Sequence, residues 1–183
     1  MKHGKYTAKL GEKLTKIFDE KNIKGLSVYY DHGDSNFPNV CEPKPYFGDS
    51  SNTMSLSNLD IAIVDESERV AKIVVEIEEG HVSPKTILGD IRCVFLAEKI
   101  RIKNIDYSFD RLFFILGMKA DEKGEHAKRA KLLIDRNQDI ITDELDLDIP
   151  VMLICRNNLD ELINAVEKEI LNILFKELKV KTG

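Results

Sequence analysis

Cysteine is scarce and scattered in this chain of 183 residues: Cys41, Cys93 and Cys155 are isolated and odd in number. That spacing supplies no zinc site and no disulfide framework, and it fits a reducing cytoplasm. Cys93 and Cys155 sit in apolar runs and read as core packing. No apolar run reaches the length of a membrane span, and the Lys-rich start lacks the apolar core of a signal peptide. A Gly-rich phosphate loop, a His-Glu-x-x-His pair and a nucleophile elbow are all missing, as are internal repeats and any linker. Positive charge is in deficit too, with 27 Lys and Arg against 32 Asp and Glu and a net charge of −5. Phosphate neutralisation supplies most non-specific affinity for nucleic acid, so a nucleic-acid partner requires the charges to be segregated. They are. Residues 1–25 hold seven Lys against three acids, and 123–131 (KGEHAKRAK) is a second basic stretch, while acids gather in 60–79 and 139–148.

What is present is a globular composition, 43% hydrophobic and 32% charged, which predicts one domain over 1–183 with one sizeable core. Its organising stretch is Leu56 to Glu79. Two apolar strands, Leu59–Val64 and Val70–Ile77, are joined by the polar turn 65–69. Antiparallel pairing about that turn sets Asp60 opposite Glu76. Because successive strand residues point to opposite faces, Ile61, Ile63, Ile73, Val75 and Ile77 form an apolar face. The other face carries Asp60, Glu76 and Glu78 together with Ala62, Val64 and Val74, and the two valines mark it as partly covered. Like charges opposed on a sheet are destabilising, and a hard divalent cation such as Mg2+ is the usual compensation. The plainer alternative is three solvated acids on a half-exposed hairpin.

Asp60 followed by Glu76-x-Glu78 at the end of the next strand resembles the core of the PD-(D/E)xK nuclease superfamily. The likeness is greatest to restriction endonucleases whose final Lys is replaced by Glu. Asn58-Leu59 stands where the family often has Pro before its Asp, and Glu78 stands where most members have Lys. The resemblance implies an αβββαβ core, a mixed sheet flanked by helices, here with a C-terminal αβα extension. It also implies a Mg-dependent endonuclease, with Mn2+ able to substitute, acting on DNA as a homodimer. Asp60 and Glu76 are then the metal ligands, with Glu78 beside the attacking water. Glu12, on the first helix, is a further metal ligand by the same resemblance; otherwise it pairs with Lys16 at i,i+4. Lys85, in the first turn of the helix after the hairpin, is the candidate to replace the missing catalytic Lys; otherwise it is a solvated Lys.

The flanking sequence fits that order of elements. Tyr6–Lys24 predicts an amphipathic helix stopped by Gly25, and Leu26–Tyr30 a first strand. Residues 31–57 read as a long loop that contacts substrate through Lys44, Tyr46 and Asn52, or as a mobile surface loop. His81 is a loop residue or a proton shuttle. Ser83-Pro84 opens a helix running to Ile102. Arg111–Gly117 is a buried strand, Glu125–Arg136 a basic helix, and Pro150–Cys155 another buried strand. Asn158 caps a last helix with Glu161 three residues on; its broad apolar stripe belongs to the core or in part to a dimer seam. Lys128, Arg129 and Lys131, outward on the basic helix, are candidate phosphate contacts, or simply solvated. The functional expectation is a DNA endonuclease of restriction type. A junction resolvase or repair nuclease, a non-catalytic relative that binds DNA or protein, and an unrelated α/β protein are the alternatives.

Overall fold

The computed structural model describes residues 4–48, 54–80, 83–145 and 149–180, with the side chains of 110 and 141–145 excepted. Seven strands in this part of the chain form one mixed sheet: β1 Leu26–Tyr30, β2 Lys44–Tyr46, β3 Ile61–Asp65, β4 Val70–Glu78, β5 Lys99–Ile102, β6 Ile105–Lys119 and β7 Val151–Arg156. Four helices accompany it: α1 Lys5–Glu20, α2 Pro84–Leu96, α3 Glu125–Leu145 and α4 Leu159–Asn172, the last continued by a π-helical turn over Ile173–Glu177. The protein is therefore a mixed α/β structure with helices packed on its sheet. No helix among the described residues is long and apolar enough to cross a membrane.

β1, β3 and β4 are consecutive antiparallel neighbours. β4 and β6 are parallel, as are β6 and β7, and each parallel step crosses over through a helix, α2 and then α3, as parallel pairing requires. The β3–β4 register is Ile61–Val75, Ala62–Val74 and Ile63–Ile73, slipping by one residue at a bulge after Ile63. The hairpin face containing Ile61, Ile63, Ile73, Val75 and Ile77 packs against Leu10, Leu14 and Phe18 of α1 and Leu162, Ile163, Val166 and Ile170 of α4. On the opposite face Ala62, Val64 and Val74 lie under Ile87, Ile91 and Val94 of α2, with Ala127, Ala130 and Ile134 of α3 in the same cluster. That second face is covered at Ala62, Val64 and Val74 and half-buried at Asp60, Glu76 and Glu78.

Local chemistry explains the helix boundaries. Ser83 Oγ accepts from the Thr86 amide at 3.2 Å with Pro84 at the first turn, and Asn158 Oδ1 accepts from the Glu161 amide at 2.8 Å. Both satisfy donors that a helix start leaves free. α1 ends at Glu20, earlier than the expected Lys24, and Asn22 takes a left-handed φ of 51° just beyond it. α1 meets β1 closely at Gly11, where an added Cβ would fall inside the Tyr30 ring. Gly11→Ala is expected to lower stability by about 1–3 kcal/mol, the usual cost of overpacking, read as a shift in the urea midpoint at unchanged slope.

Two expectations are corrected. The helix after the hairpin stops at Leu96, not Ile102, because Ala97 is extended and Lys99–Ile102 forms β5. Ile100 and Ile102 alternate into the core there, and Lys103 and Asn104 at φ 49° and 69° make the two-residue hairpin turn into β6. Residues 31–57 are likewise not one irregular loop: Lys44–Tyr46 is β2, antiparallel to β5. Tyr46 is buried, with the Arg101 guanidinium 5.7 Å from its ring centre, so it does not face a substrate. β6 and α3 both run beyond the predicted Arg111–Gly117 and Glu125–Arg136.

Candidate functional site

Asp60 stands one residue before β3, and Glu76 and Glu78 lie in the last three residues of β4. Continuing the observed register by one residue puts Asp60 opposite Glu76. Asp60 Oδ2 accepts from the Ile77 amide at 2.6 Å, and its backbone carbonyl accepts from the Asp31 amide at 2.9 Å. Alternation along β4 separates the next acid. Glu79 turns toward α1 and accepts from the Tyr6 amide at 2.7 Å, where a helix N-terminus favours negative charge. Glu78 stays with Asp60 and Glu76.

A fourth carboxylate joins them from α2. Asp90 meets Glu78, and the two carboxyls share a hydrogen bond, which requires a proton on one of them. Burial, then the Glu78 charge and contact, then the Asp60 charge push Asp90 up to about 8. Burial also raises Asp60 to about 6, against the opposing pull of the Ile77 amide and of His32, while Glu78 adds to the rise. Glu76 is held well above the ordinary carboxylate range by burial and by the charges of Asp60, Asp90 and Glu78. Burial comes first in all three shifts, and mutual repulsion among the half-buried carboxylates at the end of the strand adds to it, most for Glu76 and Asp90.

Compared with known families, curated proteins and solved structures, the chain matches none. The site therefore has to be read from its own chemistry.

The remaining nominated residues are spread more widely. Glu12 is exposed on α1, and Lys16 pairs with Glu20 at 3.7 Å instead of with it. The α1 residue that comes to the carboxylates is Thr7, buried, with its side-chain hydroxyl hydrogen-bonded to Asp60. Lys85 is exposed at the start of α2, and the opposing charges felt by Asp60, Glu76 and Asp90 do not come from it. Lys128, Arg129 and Lys131 are exposed on α3, the helix that shares a sheet face with α2. Lys128 pairs with Glu125 at 3.0 Å, and Lys128 and Lys131 line a cleft of about 380 Å³ with Glu122, Asp135 and Cys155. Lys44, on β2, pairs with Glu42 at 3.1 Å. Asn52 and His81 lie outside the described residues.

The donor set is uniformly hard oxygen, which fits Mg2+ or Mn2+ and not a soft metal. Among the described residues no three of His, Cys, Asp or Glu are already gathered about one metal-sized point. Asp60 is engaged by the Ile77 amide instead.

Proposed function

We propose that this chain is a metal-dependent endodeoxyribonuclease of restriction type, built on a PD-(D/E)xK-like core. One observation carries the reading: a β-hairpin sets Asp60 against Glu76-x-Glu78 on a partly covered face, where the acids repel one another. Support also comes from the sheet, in which β1, β3 and β4 are antiparallel neighbours and β6, reached through α2 and β5, lies parallel to β4, the strand bearing the motif. In this reading Asp60 and Glu76 hold Mg2+, or Mn2+ in its place. When bound, the cation acts as a Lewis acid toward the scissile phosphate and lowers the pKa of water. Glu78 accepts a proton from the attacking water or orients it, standing where most relatives of this kind would have Lys. The covering helix α2 limits bulk water at the half-buried carboxylates, which strengthens every charge interaction among them. Two-fold cleavage of a duplex favours a symmetric homodimer, with the same patch used twice. Incubation of supercoiled plasmid and linear phage DNA with the purified chain tests the activity.

The basic face of α3 is the proposed backbone contact. Replacing Lys128, Arg129 and Lys131 together by Ala is expected to flatten the slope of log affinity against log salt by roughly 0.9 for each phosphate these side chains neutralise. Binding to a short duplex in Ca2+, followed by fluorescence anisotropy over a salt series, gives that slope. An unchanged slope assigns the three side chains to solvent.

A second reading has a specific observation behind it. No Lys reaches the acids from Lys85, and Glu78 replaces the usual Lys, as in a relative that binds DNA or protein without cutting. Under that reading the chain still binds duplex DNA in the anisotropy assay, and cleavage stays at background in both Mg2+ and Mn2+.

A further inference from the structure

β1, β2 and β7 each have a strand neighbour on one side only. The outer edge of β1 is closed by the chain that follows it, since Tyr30 N–H donates to Asn39 O at 3.1 Å and Cys41 N–H to Tyr30 O at 3.0 Å. That of β2 is closed by Leu56 N–H, which donates to Pro45 O at 3.0 Å. Among the described residues, nothing pairs with the outer edge of β7. Phe114 N–H donates to Pro150 O and Ala120 N–H to Arg156 O, so even-numbered residues of β7 turn their main-chain groups to β6. By alternation Val151, Leu153 and Cys155 turn theirs outward. The Cys155 carbonyl accepts from Arg156 Nη1 at 2.6 Å, which leaves the N–H and C=O of Val151 and Leu153. Val151, Met152, Leu153 and Ile154 are apolar and each only half-buried. Sheets guard such an edge with charge, proline or a bulge, and β7 has none of these between Val151 and Cys155.

We infer that β7 is the contact between two copies of this chain, paired antiparallel about a two-fold axis at Met152. That register sets Val151 against Leu153 of the second copy, twice over. It uses the main-chain groups left open and keeps the Cys155 carbonyl with Arg156. Charge selects a second copy as the occupant. α3 runs antiparallel to β7, because Gln138 Nε2 donates to Ile149 O at 3.2 Å and Arg156 Nη1 meets Glu122 at 3.5 Å at the other end. Lys128, Lys131 and Asp135 line the open side between α3 and β7, together with Val151 and Leu153. The bases come first along this side and the acid later. A two-fold copy reverses that order and brings Lys128 to Asp135 and Asp135 to Lys128. The patch thus complements itself in main chain and in charge, as an isologous interface requires. Arg129, one residue on, lies on a different side of α3 and keeps its proposed phosphate contact. The pairing supplies the surface of the homodimer proposed above, but it rests on β7 and α3 and not on the carboxylates, so self-association and cleavage fail separately.

The test is sedimentation velocity of the full chain over a concentration series, for wild type, Leu153→Pro, Asp135→Lys and the charge-swapped double variant Lys128→Asp with Asp135→Lys. Leu153 N–H faces away from β6, so proline there costs no ladder hydrogen bond and removes a donor to the second copy. Wild type is expected to be a dimer. Leu153→Pro and Asp135→Lys are each expected to weaken self-association by about tenfold or more, the second by setting like charges together. The charge swap is expected to recover most of what Asp135→Lys loses. A monomeric wild type overturns the inference and leaves the edge to solvent or to an extended segment of another protein. A dimer indifferent to Leu153→Pro and to Asp135→Lys overturns it too, as does a charge swap that recovers nothing. Should Leu153→Pro not fold, as judged by circular dichroism, Asp135→Lys and the swap, both at exposed positions, decide by the same criteria.

Discussion

Glu76→Ala is expected to abolish DNA cleavage while leaving the fold intact. Glu76 is raised by burial and by the charges of Asp60, Asp90 and Glu78. If it is a metal ligand, its loss removes the Lewis acid that stabilises charge on the phosphoryl oxygens. Such an ion contributes several kcal/mol, and at 1.36 kcal/mol per tenfold that is on the order of a thousandfold in rate. The backbone of β4 is unaffected, since Glu76 pairs through main chain with Leu116 of β6 and Ala is tolerated in a covered strand. The apo protein should therefore keep its circular dichroism spectrum. A folded Glu76→Ala protein that cuts as fast as wild type shows the assignment to be wrong.

The second large effect concerns the same carboxylates without metal. Asp60 titrates at about 6 and Asp90 at about 8, both against an ordinary value of 3.8. A group whose folded pKa is raised holds its proton more tightly in the native state. The stability it contributes is fully present below the unfolded value and is lost as pH rises through the folded one. In EDTA the protein should accordingly melt at lower temperature as pH goes from about 4 to about 8, a span set by these two acids. For Asp60 alone the rise corresponds to roughly 2–3 kcal/mol at 1.36 kcal/mol per pKa unit. Asp60→Asn keeps an oxygen for the Ile77 amide but carries no charge. At the alkaline end it is expected to melt about 4–12 °C above wild type, taking about 2–4 °C per kcal/mol for a chain of this size. Saturating Ca2+ should reverse the order, because a ligand that binds only the folded state stabilises it by mass action and the variant lacks one ligand. Equal metal shifts in both proteins, or none in either, would remove the site.

Much of this was legible from the amino-acid order, for identifiable reasons. The hairpin follows from two short apolar runs joined by an acid-rich turn, and pairing about that turn gives the register of its far end, while the bulge after Ile63 left no mark in the sequence. α4 was marked by Asn158 with Glu161 three residues on, and the buried β6 by an unbroken apolar run. The short strands escaped because their signals are weak. β5 has only Ile100 and Ile102 in alternation and directly follows a helix, so its residues read as further helical turns. β2 has three residues, one of them Pro45, and is held by pairing to β5, a partner remote in sequence. Asp90 was missed because the acids were sought on the strands, although its position three residues after Ile87 and four before Val94 placed it on the inward stripe of α2. Thr7 carried no signal, since a hydroxyl on the buried face of a helix is ordinary until its neighbour is known to be Asp60. Glu12 was nominated by resemblance, and the helix presents it to solvent instead.

The central claim is that these carboxylates hold a divalent cation for phosphodiester hydrolysis. Conversion of supercoiled plasmid to nicked and linear forms by the purified chain, in Mg2+ or Mn2+ against EDTA, tests it most directly. The account predicts cleavage that depends on the metal, stops in EDTA and is lost in Glu76→Ala. Intact supercoiled DNA in both metals, from a chain shown to be folded, contradicts it.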